Sequence, residues 1–93
     1  MSMQKGSLLE EIFTSKGRIR ILKILLKYGE ANITKIAREA GLNHSSTEKH
    51  LRKLVELGLV SEERYGRLRI FRINFSSPIM YIIKEFMEAV EIE

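Results

Sequence analysis

The sequence predicts a mainly α-helical domain carrying a small β-hairpin, and three observations lead there. Most of the chain repeats its apolar residues at helical spacing. After Gly58 that period shortens around a glycine turn, as a hairpin requires. A further helical stripe then follows Ser77-Pro78, a cap residue with proline at the first helical position. With 93 residues, 44% of them hydrophobic, the chain has enough material for one modest core. We therefore expect one domain over residues 1–93, with a core unit at 15–74 and flanking helices at 7–14 and 77–92.

Taken in order, Leu8–Thr14 form a short first helix with Ser7 as its cap, interrupted by Ser15 and Gly17. Residues 18–28 form a second helix, ended by Gly29. Its apolar positions 19, 21, 22, 24, 25 and 26 cover most of the circumference, and only Arg20, Lys23 and Lys27 keep a polar stripe. A helix apolar on most sides is a central one. Residues 30–33 connect it onward, with room for extended pairing at Ile33. Thr34 is the expected cap of a third helix that turns Ile36, Ala37 and Ala40 inward, and Gly41 stops it.

Asn43 then opens a fourth helix, because its side chain can accept from an orphan N–H of the first turn. Leu51, Leu54 and Leu57, with Val55 beside them, make its apolar stripe, and Gly58 closes it in the left-handed conformation. Two helices joined by a short turn containing glycine match a helix-turn-helix. The hairpin follows, with its turn near Tyr65-Gly66-Arg67. Leu68, Ile70 and Ile73 are apolar in its second arm, Phe71 shifts the alternation, and Arg64, Arg67, Arg69 and Arg72 make it basic.

Composition excludes several classes. Without cysteine there are no disulfides and no thiolate metal sites. His44 and His50, the remaining nitrogen ligands, lie six apart on one helix and point about 240° apart, so they cannot share a metal. The sequence has no glycine-rich phosphate loop and no carboxylate cluster with an associated histidine, so we expect no enzyme, catalytic residue or cofactor. His50 reads as a satisfied, half-buried histidine. No apolar run approaches the roughly 20 residues that span a bilayer. The first residues carry no apolar signal segment, and the expected location is the cytoplasm, with no membrane partner.

Charge is segregated. Residues 15–74 hold 14 Lys/Arg against 6 Asp/Glu, a net +8, whereas residues 1–14 carry −1 and residues 75–93 carry −3. A basic centre suits a polyanion, and acidic, apolar ends suit a protein partner. The outer face of the fourth helix carries His44, Ser45, Glu48, Lys49, Arg52 and Lys53, small and polar first and basic along its length. Such a face fits a DNA major groove. An ordinary solvated helix face would look similar, and only the neighbouring elements favour the DNA reading. The last helix carries the row Ile79, Ile83, Phe86 and Val90, widened by Met80 and Met87. That is more apolar surface than a small core absorbs, so part of it is expected to pack with the first helix against a second copy. Folding back on the chain's own core is the alternative.

The segments Ile33-Thr-Lys-Ile-Ala-Arg-Glu-Ala-Gly-Leu42 and Ser46-Thr-Glu-Lys-His-Leu-Arg-Lys-Leu-Val-Glu-Leu-Gly-Leu-Val60 carry a resemblance. Within residues 15–74 the chain resembles the winged helix-turn-helix regulators, especially the ArsR-like and MarR-like repressors. The resemblance implies a homodimeric, sequence-specific DNA-binding repressor, associated with the chromosome, with recognition helix 43–57 in the major groove. It places His44, Ser45, Glu48, Lys49 and Arg52 at groove-facing positions and Ser46 near a backbone phosphate. It sets the wing, residues 60–74, on flanking phosphates or the minor groove through Arg64, Arg67 and Arg69. It implies a dimer interface on the first and last helices, where Leu8, Leu9, Ile12, Ile79, Ile83, Phe86, Met87 and Val90 lie. Thr47 departs from the pattern at a usually apolar position, which implies looser packing.

Arg52 and Lys49 are the best guanine readers by donor geometry. Glu48 either accepts from a cytosine amino group or pairs with Arg52 four residues on. A winged-helix protein-interaction module and a chromosome-coating protein of low sequence specificity are the competing functions. The sequence names no small-molecule effector.

Overall fold

The computed structural model describes residues 7–90. Among the described residues five helices and three strands follow one another as α1 (Ser7–Phe13), α2 (Lys16–Tyr28), β1 (Glu30–Asn32), α3 (Ile33–Ala40), α4 (His44–Glu56), β2 (Val60–Tyr65), β3 (Leu68–Ile73) and α5 (Pro78–Val90). Ile92, which the sequence adds to the end of the last helix, lies outside the described residues.

The core is built around α2, whose Ile21, Leu22, Ile24 and Leu25 are buried while Ile19 and Leu26 pack against the same cluster. Ser15 caps this helix, its Oγ accepting from the Arg18 N–H at 3.2 Å. Gly17, expected as a break, instead sits in the first turn of α2. Its missing side chain is a packing requirement, because a Cβ there would stand 2.8 Å from Nε2 of His50 on α4. Gly17→Ala should therefore destabilise the fold by about 1–3 kcal/mol through overpacking. Adding His50→Ala should recover part of that loss in thermal unfolding, whereas a loss indifferent to residue 50 would locate the strain elsewhere.

The sheet has three strands in the order β1-β3-β2, so the hairpin's second arm is central. The extended pairing expected at Ile33 falls earlier, with Glu30 opposite Arg72, Ala31 opposite Phe71 and Asn32 opposite Ile70. Ile33 is already the buried first residue of α3. The cap is accordingly Asn32 rather than Thr34, its Oδ1 accepting from the Lys35 N–H at 2.8 Å. Asn32 lies at the strand-to-helix corner in extended backbone, the conformation an N-cap needs, and Thr34 is two residues too deep, already inside the first turn. The wing turn falls at Gly66-Arg67, between the paired Tyr65 and Leu68, with Gly66 at φ 64°. At the base, Asn74 Nδ2 donates to the Gly58 carbonyl at 2.8 Å and ties the wing to the exit of α4.

Helix α5 begins as expected, with Pro78 at its first position and Ser77 Oγ accepting from the Met80 N–H at 3.1 Å. Its core-facing row, however, is Met80, Ile83 and Met87. Ile12 on α1 is also fully buried. Ile12, Ile83 and Met87, expected between two copies, therefore spend their apolar surface inside the protomer. The row left open is Ile79, Ile82, Phe86 and Val90, with Ile82 63% exposed and Leu9 on α1 62% exposed. Phe86 stacks edge-on against Phe13 of α1 at 5.4 Å, and Leu9, Phe13, Ile82 and Phe86 line one apolar groove between the two helices.

Candidate nucleic-acid interface

Helices α3 and α4 meet at Gly41, which holds φ 70°, a left-handed value that favours glycine. Asn43 Oδ1 accepts from the Ser46 N–H at 2.7 Å and starts α4. Thr47, Leu51 and Leu54 are the buried face of this helix. Thr47 does not loosen the packing. It is fully buried, and its hydroxyl donates to the Asn43 carbonyl at 2.8 Å, so the polar atom is satisfied within the turn.

At about 100° per residue, the direction opposite that buried face belongs to Ser45, Lys49 and Arg52. All three are exposed. The other expected contacts lie on the two flanks. His44 is exposed in the first turn, and Glu48 is turned to the wing. Ser46 is half-buried. Lys53 is turned to α1, with its Nζ 4.0 Å from Glu11 Oε2 and 3.7 Å from Glu56 Oε1. Its charge serves the packing of α4 against α1 as much as any outside partner.

The wing arginines are less free than the sequence suggests. On β3, alternation puts residues 69, 71 and 73 on one face. Phe71 and Ile73 are buried there, so Arg69 points under the wing toward α4. It donates to Glu48 Oε1 at 2.7 Å and Oε2 at 3.2 Å, and its Nε donates to Glu62 Oε2 at 2.7 Å. Glu48 also pairs with Arg52 at 3.3 Å, the i,i+4 contact expected, but Arg69 is its main partner. Hydrogen bonding from Arg69, followed by the charges of Arg69 and Arg52, holds the Glu48 carboxyl below the usual range despite its partial burial. The same bonds to Glu48 and Glu62 raise the pKa of Arg69. Arg64 pairs with Glu62, and Arg72 with Glu30 and Glu63. Among the described residues, Arg67 at the hairpin tip is the one wing arginine without a carboxylate partner.

His50 sits where α1, α2 and α4 meet, its Nδ1 accepting from Arg18 Nε at 3.1 Å while Arg18 also pairs with Glu11 at 2.6 Å. It is half-buried and satisfied, as expected. Burial, then the charges of Arg18 and Lys49, lower its pKa below the ordinary histidine value. The folded state thus disfavours the imidazolium. Stability should be fully present above the free value of about 6.5 and be lost as pH falls from there through the lowered folded pKa. A urea midpoint that declines over this window in the native protein and less steeply in His50→Gln would confirm it. Equal slopes would exclude His50 as the source. No group of three or more His, Cys, Asp or Glu that could hold a metal occurs among the described residues.

Sequence reasoning missed the Arg69–Glu48 and Arg18–His50 contacts. The first had a signal, since Arg69 shares strand parity with Phe71 and Ile73. The second, across 32 residues, had none.

A helix-turn-helix flanked by a β-hairpin and crossed by a basic outward row defines a winged-helix protein. The sequence model described as "Bacterial regulatory protein, arsR family" matches residues 15–62, just over half of the chain. The chain belongs to the arsR family of bacterial regulatory proteins. It is a winged-helix transcriptional regulator and not an enzyme.

A search of curated protein sequences returned no match. Solved structures agree with the fold. The homodimeric winged helix-turn-helix DNA-binding domain of a Mycobacterium bovis protein is 25% identical and superposes with a TM-score of 0.70, covering 98% of this chain and 87% of its own. The antimony-specific transcriptional repressor AntR, 20% identical, gives 0.76 over 92% of this chain and 76% of its own. Reduced HlyU of Vibrio cholerae, 19% identical, gives 0.77 over 97% and 90%. No described helix is long and apolar enough to cross a membrane.

Proposed function

We propose that this protein is a homodimeric, sequence-specific repressor that acts on the chromosome in the cytoplasm. In this reading residues 1–93 are one domain, with α4 in the major groove and the wing on flanking phosphates. The observation that carries it is the outward row Ser45, Lys49 and Arg52, exposed along α4 directly opposite its buried face. Small and cationic side chains there can reach base edges and phosphates together. His44 and Ser46 join them in the first turn, and Arg67 reaches out at the wing tip. The homodimer reading rests on the open apolar row of α5 with Leu9 of α1 beside it, and on the homodimeric Mycobacterium bovis domain, whereas Leu8 packs against the protomer's own core. Exposed apolar surface of this extent usually marks an interface. A two-fold dimer would set two recognition helices about one helical turn of DNA apart and favour a palindromic site.

Titrating the protein against random-sequence duplex DNA at two salt concentrations, with its mass measured in the same buffers, tests this reading. Binding by a dimer that collapses with salt supports it through counterion release. Absence of binding at low salt would overturn it in favour of a protein-interaction module.

Glu48 is held by Arg69 and is therefore not a cytosine reader in this proposal. Glu48→Ala removes a negative charge from the DNA side and leaves Arg69 held by Glu62 alone. Affinity for random duplex should rise about three- to tenfold, and the salt dependence should steepen by about one counterion. Weaker binding would instead make Glu48 a base contact.

A further inference from the structure

Setting aside every cation that has a carboxylate partner changes where the positive charge lies. Arg18, Arg52, Lys53, Arg64, Arg69, Arg72 and Lys84 are paired. Among the described residues, the unpaired cations concentrate on α2 and α3, away from the wing. Four of them, Lys16, Arg20, Lys23 and Lys27, follow i, i+4, i+7 and i+11 along α2 and fall within one narrow arc of that helix. The stripe runs for about 16 Å at 1.5 Å per residue. Lys16, Arg20 and Lys27 are exposed and Lys23 is half-exposed. Arg20 also donates from Nη1 to the Ala40 carbonyl at 3.1 Å, which holds its guanidinium beside the end of α3.

The stripe is not part of the α4 face. Arg18 reaches His50 on α4, and Arg20, two residues on, points about 200° away around the helix. The stripe lies instead beside Glu39 of α3 and Glu88 of α5. Glu88 is held by Lys84 at 3.2 Å, which among the described residues leaves Glu39 as the one opposing charge beside the stripe. Glu88 is also on the flank of α5 opposite Ile82 and Phe86, so a dimer joined through the apolar row leaves the stripe open.

A solvated helix face normally intersperses acids at these spacings, because like charges at i,i+3 and i,i+4 destabilise a helix. Here no acid relieves the row from within α2, whose thirteen residues contain none. We propose that the α2 stripe is a second DNA-backbone site, which takes a separate duplex while α4 holds the first. Over 16 Å a duplex presents on the order of ten phosphates, ample to meet four cations. The contact is to backbone alone, with no base readout, and joins two DNA segments through one protein. The inference shares its partner class with the α4 reading but concerns a different face.

The test immobilises one random-sequence duplex on beads, adds the protein, and measures capture of a second, fluorescent duplex at low and raised salt. Native protein should capture it, and salt should abolish capture. Lys23→Glu/Lys27→Glu should lose capture about tenfold or more while binding a single duplex within about twofold of native affinity. Lys23→Gln/Lys27→Gln, which adds no repulsion, should lose capture in part. Undiminished capture by both variants would overturn the proposal and assign bridging to the two α4 helices of a dimer. Single-duplex binding without any capture would also overturn it and leave the α4 reading standing. Failure of even the single duplex to bind would remove both.

Discussion

Lys49→Ala combined with Arg52→Ala should lower affinity for the specific DNA site by about two to four orders of magnitude, since each base-edge contact is worth roughly 1–3 kcal/mol. Both side chains are exposed, opposite the buried face of α4, and neither supports the core. Among the described residues the double variant breaks one ion pair, Arg52–Glu48 at 3.3 Å, whose arginine is exposed, and a surface pair of this kind is worth less than about 1 kcal/mol. The thermal midpoint should therefore move by no more than about 4–8 °C. Fluorescence anisotropy with the specific and a random duplex, beside a melting curve, separates the two effects. A large loss of stability would show that these residues hold the fold and would remove them from the interface. Losing Lys49 also takes one positive charge from beside His50, whose imidazole should then titrate at a higher pH.

The second large effect is expected at Phe71, which is 1% exposed in the central strand. Phe71→Ala should cost about 3–5 kcal/mol, the usual range for emptying an aromatic site in a core. Against the roughly 5–15 kcal/mol that holds small domains together, that is a large share. The midpoint should fall by about 15–30 °C, or the protein should fail to fold at ambient temperature. Phe71 also carries Arg69 over its ring at 5.3 Å, so the loss reaches the clamp between wing and recognition helix. Conservative Phe71→Leu should retain most of the stability. If Phe71→Ala melted like the native chain, the core would not extend under the wing.

The boundaries of α4, the caps Asn43 and Ser77, the turn at Gly66 and the central place of α2 follow from the sequence by local rules. Capping, glycine conformation and apolar period act over a few residues, and each is written where it acts. The resemblance to ArsR-like regulators rests on the same local patterns, and the family match over residues 15–62 agrees with it. The three-stranded sheet is less legible. Glu30–Asn32 is too short to declare itself a strand, and it becomes one only because β3 offers it an edge. Gly17 reads as a helix break because its reason for being glycine, the ring of His50, lies far along the chain on another helix.

Tertiary structure alone decided which charges are free and which apolar residues are open. Four wing arginines read from composition as a basic surface, yet three are neutralised by Glu30, Glu48, Glu62 and Glu63 once the strands register. Conversely, the modest stripe on α2 keeps its charge because, among the described residues, no carboxylate pairs with it. On α5 the apolar residues spread over more than one face, and packing assigned Met80, Ile83 and Met87 to the core and left Ile79, Ile82, Phe86 and Val90 outside. Periodicity fixes which residues share a face. Which face meets the core, and which charges meet each other, depends on contacts between residues far apart in the chain.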